Sequence, residues 1–134
     1  MVRVSSPIIE KTELMAWFAL AIAVLANVVA NVSLKLAVRT AFAESTEHPV
    51  IGILVQSWTW IGVCAAIILL GSYFVAIRDI GLGVSYAIVT SLALVLITIA
   101  AAFVFQQRLT LTIFVGMGLI ALGIVVLVSA ELAN

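Results

Sequence analysis

The chain has 134 residues, 66% of them hydrophobic and 9% charged, with a mean hydropathy of +1.39. A soluble domain is roughly 45–50% apolar and roughly 25% charged, so a water-soluble globule is excluded and the lipid bilayer is the expected solvent. The formal net charge of +0 gives no electrostatic basis for binding nucleic acid, which is not an expected partner.

A membrane-crossing helix takes about 20 mostly apolar residues, and four would use roughly 80. Only short connections remain, with no room for a separate enzymatic or binding domain. Cys64 is the single cysteine, so an internal disulfide and a thiolate metal cluster are both excluded. No cofactor and no metal is implied.

From Met1 to Glu13 the chain carries Arg3, Ser5, Ser6, Pro7, Glu10, Lys11 and Glu13 and reads as a short polar tail. The first stretch free of Asp, Glu, Lys and Arg runs from Leu14 to Leu34. It exceeds the about 7–15 apolar residues of a secretory signal, and a first helix is predicted over 14–37. Lys35, Arg39, Glu44 and Glu47 follow it. The connection 38–56, with Glu44, Ser45, Thr46, Glu47, His48 and Pro49, is the one loop with room for structure of its own. His48 reads there as a loop residue.

A second charge-free stretch, His48 to Ile77, contains a helix predicted over 57–77, and Arg78 and Asp79 after it read as a solvated turn pair. Gly81-Leu82-Gly83 then permits a tight reversal, because glycine tolerates positive φ. The third stretch, Ile80 to Gln107, holds a helix predicted over 84–105. A short turn through Gln106-Gln107-Arg108 and Thr110 leads into a helix predicted over 111–130, within the fourth stretch Leu109 to Ala130. Such short turns make the last three helices antiparallel neighbours. The expected fold class is an all-α integral membrane protein, a single domain over 1–134 with four transmembrane helices.

Excess Lys and Arg in the cytoplasmic loops normally sets orientation. Here Arg3, Lys11 and Arg78 fall on the amino-terminal side, and Lys35, Arg39 and Arg108 on the other. The balance is even. Dual insertion would permit an antiparallel dimer, an inverted repeat built from two copies; a chance balance in a small sample is the alternative. The expected location is the cell inner membrane, as a multi-pass protein.

Polar side chains inside the spans are expected to face protein or a cavity. In the first helix Asn27, Asn31 and Lys35 recur at i, i+4 and i+8, a stripe on one face. Asn27 sits near the centre of the span and Asn31 about 6 Å further along the axis. Lys35 is near the end, either as a snorkelling anchor or as a substrate contact. The third helix carries Ser85, Tyr86, Thr90, Ser91 and Thr98, with Tyr86 and Thr90 stacked at i, i+4, so that the two faces can close around one polar cavity. The competing account makes the asparagines interhelical glue, worth about 0.6 kcal/mol per hydrogen bond. On that account Thr90, Ser91 and Thr98 are packing residues bonded to their own backbone. Tyr86 is the strongest candidate of its helix, since its ring stacks and its hydroxyl hydrogen-bonds.

In the fourth helix Gly116 and Gly123 lie seven apart, share a face and allow another helix to approach, which marks them as dimer contacts. Trp17, Trp58 and Trp60 stand near span ends, where interfacial aromatics are expected. There is no Gly-rich phosphate loop, no HExxH and no nucleophile with a base. All six carboxylates, Glu10, Glu13, Glu44, Glu47, Asp79 and Glu131, lie outside the predicted spans.

The run Ile80-Gly81-Leu82-Gly83-Val84-Ser85-Tyr86-Ala87-Ile88, followed by Gln107-Arg108-Leu109, Gly116-Met117 and Gly123, resembles the small multidrug resistance family of the drug/metabolite transporter superfamily. The resemblance covers about residues 14 to 129. It implies an antiparallel dimer that alternates access between the two sides and exports cationic or guanidinium compounds in exchange for protons. It also implies that Asn27 stands where the family has a membrane-embedded glutamate that binds substrate and protons in turn. Lys35 matches a lysine common at the end of that helix, and Tyr86 matches the substrate-site tyrosine. Val89 replaces the expected tryptophan. In lacking the glutamate the sequence is similar to a divergent branch, the paired subunits proposed to flip aminoarabinose linked to undecaprenyl phosphate.

The expected function is membrane transport of a small polar, cationic or lipid-linked compound, with Asn27, Asn31, Tyr86 and Lys35 binding substrate and without the usual glutamate-based proton coupling. The expected partners are the lipid bilayer, the small-molecule or lipid-linked substrate, and a second copy or a related four-helix subunit. A non-transporting assembly subunit of a larger complex is the alternative. A membrane enzyme is not expected.

Overall fold

The computed structural model describes residues 7–43, 49–108 and 110–132. The predicted Arg3 end of the tail, the loop residues Glu44, Ser45, Thr46, Glu47 and His48, and Leu109 lie outside the described residues. Among the described residues five helices follow in chain order: α1 Pro7–Ala43, α2 Pro49–Val55, α3 Ser57–Ile80, α4 Leu82–Phe105 and α5 Leu111–Leu132. Four contain stretches long and apolar enough to cross a membrane, Leu14–Ala43, Ser57–Ile80, Leu82–Phe105 and Leu111–Ala130. The chain is an all-α, four-span membrane protein.

Three features differ from the sequence reading, one being that Arg78 and Asp79, read as a turn pair, belong to the last turn of α3, whose backbone bonds continue to Ile80. The first helix extends past both ends of 14–37, because the polar residues flanking an apolar core still hydrogen-bond as helix, and Pro7 has the fixed φ suited to a first helical position. Its 37 residues measure about 55 Å at 1.5 Å per residue, against a hydrocarbon core of about 30 Å. The loop 38–56 also contains a helix, the wholly apolar α2. Its link to α3 is closed by backbone bonds from Gln56 N–H to Ile53 O (3.3 Å) and Thr59 N–H to Gln56 O (3.0 Å), and the Thr59 hydroxyl also donates to Ile53 O.

The packing centre is α1. Both α3 and α4 pack on it, α3 along the greater length, and α3 and α4 approach each other less. Small residues explain this. The buried positions include Ala16, Ala19, Ala23, Ala26, Ser33, Ala37 and Ala41 on α1, with Ala65 and Ala76 on α3. In lipid there is little hydrophobic drive between helices, so close backbone approach through small side chains supplies the attraction. At Gly62 a Cβ would stand 3.4 Å from Ala30 O and 3.6 Å from Ser33 Cβ. A large side chain there would push α3 off α1. Large apolar side chains such as Phe18, Ile67, Phe74 and Phe103 instead face outward, where lipid is their solvent.

The turn between α3 and α4 is one residue, Gly81, at φ 87° and ψ 149°. That combination of positive φ and extended ψ is essentially restricted to glycine. After α4 the chain leaves through Gln106 in the left-handed region, φ 50°. The final helix comes near α4 alone among the helices, and none of its span is buried.

Candidate functional site

The central third of α1 brings Asn27 to the place where α3 and α4 converge on it. A cavity of about 180 Å³ opens there, lined by Asn27, by Leu69, Leu70 and Tyr73 of α3, and by Tyr86, Val89 and Thr90 of α4. None of these seven side chains is charged. Asn27 and Thr90 are half-buried, Val89 is buried, and Tyr86 is 62% exposed, so the Tyr86 edge of the lining lies at the outer surface of the single chain. Just before Tyr86, Ser85 is fully buried with no hydrogen-bond partner for its Oγ among the described residues. It serves there as another small residue.

Hydrogen bonds fix several of the polar groups. The Thr90 hydroxyl donates to Tyr86 O at 2.7 Å and lies 3.3 Å from Ala87 O, as a helical threonine ordinarily does. Thr98 bonds to Leu94 O in the same way, at 2.8 Å. The Tyr73 hydroxyl reaches back across the α3–α4 turn and donates to Leu82 O at 3.4 Å. Asn31 donates from Nδ2 both to Asn27 O and to Asn27 Oδ1, each at 2.8 Å. The two amides form one unit.

The stripe does not line a single space. Asn27 faces the cavity with Tyr86 and Thr90. Asn31, exposed, lines a second recess of about 240 Å³ between α1 and α3, with Ala30, Leu34, Thr59, Gly62, Val63 and Ala66. A four-residue step advances about 400° around a helix, and this 40° offset carries Asn31 past the α1–α4 junction. Lys35 lines neither space. Its Nζ lies 4.3 Å from the centre of the Phe105 ring, a cation–π contact that ties α1, two turns before its end at Ala43, to the end of α4. Arg39, one turn further on, is exposed. Gly116 and Gly123 face open space, with nothing within 4 Å of where a Cβ would stand.

Sequence reading did not single out Tyr73, Thr59 or Phe105. Tyr73 was signalled only as an aromatic hydroxyl inside a charge-free stretch, four residues before its end. Phe105 carries no signal without knowledge that the end of α4 lies beside Lys35 on α1. Among the described residues no cluster of His, Cys, Asp or Glu is placed to hold a metal ion. Arg78 and Asp79 are both exposed and border a surface recess with Thr12.

No curated protein and no solved structure matches the chain. The sequence model of the family described as Small Multidrug Resistance protein matches residues 15–120, which takes in the first three spans, the cavity and the first half of the fourth. A four-span membrane protein whose sequence fits that model over most of its length belongs to the small multidrug resistance family of membrane transporters.

Proposed function

We propose that the chain works as a dimer that moves a small polar or lipid-linked compound across the membrane by alternating access around the Asn27–Tyr86 cavity, without proton coupling through the first helix. The observation that carries this reading is the cavity itself: an amide and two tyrosines on converging helices, with no charged group among its lining residues. An amide cannot take up a proton near neutral pH or hold a cation by charge, so the cycle of substrate and proton on one carboxylate has no seat on this chain. A cation becomes a substrate only where a related subunit supplies an acid. Substrates joined to a lipid carrier, as in the aminoarabinose flippase branch, fit a cavity whose Tyr86 edge is exposed on the outside of the chain.

Dimerisation is supported by what one chain leaves incomplete. Half-buried Asn27 and exposed Tyr86 would otherwise meet lipid, which is unfavourable for groups with unused hydrogen-bonding capacity. An α5 that packs on α4 alone, with Gly116 and Gly123 turned to open space, offers a surface for a second copy or a related subunit. The even split of Lys and Arg suits an antiparallel pair inserted in the inner membrane.

The test separates transport from assembly. Cells or proteoliposomes carrying Asn27→Ala or Tyr86→Ala are expected to lose about tenfold or more of the export that wild type gives, with protein level and helical content retained. Unchanged export by both variants, together with stoichiometric copurification of a larger complex from native membranes, would establish an assembly role instead.

A further inference from the structure

The first helix overshoots its neighbours at one end. Its charge-free stretch Leu14–Leu34 measures about 31 Å at 1.5 Å per residue, which matches a hydrocarbon core of about 30 Å. The helix α4 ends at that level, with Phe105 under the Lys35 ammonium, and α3 begins there, with Thr59 lining one recess together with Asn31 and Leu34. The last two turns of α1, Leu36–Ala43, add about 12 Å, against a headgroup layer of about 5–8 Å on each face of the bilayer. Lys35 thus stands at the edge of the hydrocarbon. Arg39, about 6 Å further along the axis, reaches the depth of the lipid phosphates.

The helix α2 sits at this same end. It packs on α1 and α3, and the Thr59 hydroxyl in the first turn of α3 donates to Ile53 O. Gly52 and Ile53 are half-buried, while Val50, Ile51, Leu54 and Val55 are between 58% and 76% exposed. Seven residues make about 10 Å of helix and cannot cross a bilayer. Four exposed aliphatic side chains are equally unfavourable in water. The boundary between acyl chains and headgroups is the depth at which a short apolar helix meets neither objection. Trp58 and Trp60, exposed in the first turn of α3, mark the same belt. The charges here are of one sign among the described residues: Lys35, Arg39 and Arg108 are exposed, whereas Glu10, Glu13, Asp79 and Glu131 belong to the opposite ends of α1, α3 and α5. Glu44 and Glu47 lie outside the described residues.

We infer that this end of the chain is a binding surface for an anionic phospholipid, with the exposed face of α2 against the acyl chains and with Lys35 and Arg39 on the headgroup phosphate. Charge selects the occupant. Cations held at the membrane surface attract anionic lipids over zwitterionic ones, and a guanidinium grips a phosphate with two parallel hydrogen bonds. The apolar face supplies the second half of the match, since a lipid brings its anion and its hydrocarbon at adjacent depths. The surface is separate from the Asn27–Tyr86 cavity and does not depend on what that cavity carries.

Quenching of tryptophan fluorescence by brominated lipids tests this, in phosphatidylcholine vesicles into which brominated phosphatidylglycerol or brominated phosphatidylcholine is titrated. Trp17→Phe leaves Trp58 and Trp60 to report on this end, and Trp58→Phe with Trp60→Phe leaves Trp17 to report on the other. Both leaflets have one composition, so the reading is the same whichever way the chain inserts. At Trp58 and Trp60 phosphatidylglycerol is expected to be preferred at least about fivefold, each Lys or Arg near an anionic surface being worth about that factor. Trp17 is expected to show no preference. Arg39→Gln, on an exposed side chain, is expected to lower the preference to about twofold or less, and Lys35→Gln with Arg39→Gln to parity. Leu54→Trp, in a chain whose own tryptophans are all phenylalanine, reports on α2 and is expected to be quenched by brominated lipid and not by aqueous acrylamide. Parity at Trp58 and Trp60, an equal preference at Trp17, or a preference unmoved in both charge variants overturns the inference. So does a Trp at position 54 that acrylamide reaches and lipid does not, which puts α2 in water, or one shielded from both quenchers, which puts a second copy or another protein over it.

Discussion

Asn27→Glu is expected to give the chain pH-dependent cation binding that the wild-type sequence lacks. The substituted carboxyl stands in the cavity of Tyr73, Tyr86 and Thr90, where tyrosine rings can face a cation and no other charge competes. Its ionised form attracts a cation and its protonated form does not. Tetraphenylphosphonium should therefore bind more tightly as pH rises and be released as acid protonates the site. In mildly alkaline buffer the gain over wild type is expected to be about tenfold or more, since ionic hydrogen-bonded and paired groups are worth about 1.5–3 kcal/mol. Asn31 can still donate to the new carboxylate, so the amide–acid unit survives the change. Equilibrium binding at several pH values measures it, and a pH-independent result would mean that the substituted side chain does not reach the cavity.

The second large effect is expected at the outer helix. Gly116→Leu and Gly123→Leu each place a bulky side chain where a Cβ meets nothing within 4 Å in the single chain. The fold of one chain is thus undisturbed. Across an interface of closely approaching backbones the same side chain would hold the two helices apart and forfeit their van der Waals contact. The dimer dissociation constant is expected to rise about tenfold or more, equivalent to about 1.4 kcal/mol or more, with helical content unchanged. Crosslinking or mass measurement in detergent across a dilution series reads it directly. A dimer of unchanged strength in both variants would move the interface off α5.

The four spans were legible because charge is costly in the bilayer, and the gaps between Asp, Glu, Lys and Arg mark the apolar windows directly. Helix ends were not, since Lys11, Arg39 and Thr40 continue α1 into water without breaking its hydrogen bonds. The apolar run of α2 was hidden inside a loop read from its polar half, Glu44 to Pro49. The Asn27–Tyr86 pairing follows from two stripes that must both turn inward. The division of Asn27 and Asn31 between two spaces does not, because it depends on where α3 crosses α1, and that is set by alanines and Gly62 whose pattern says only that some helix comes close. Lys35 over Phe105 required the end of α4 to lie beside α1 two turns before its end, a tertiary fact that no local pattern encodes.

The neutral amide of Asn27 is expected to remove proton coupling from a chain of a transporter family. Proteoliposomes holding the purified chain alone, with a pH-sensitive dye inside and a quaternary ammonium gradient imposed across the membrane, measure this coupling. No proton movement above that of protein-free vesicles is expected, in either direction of the gradient. Robust proton release or uptake that follows the ammonium gradient and disappears in Asn27→Ala would contradict it.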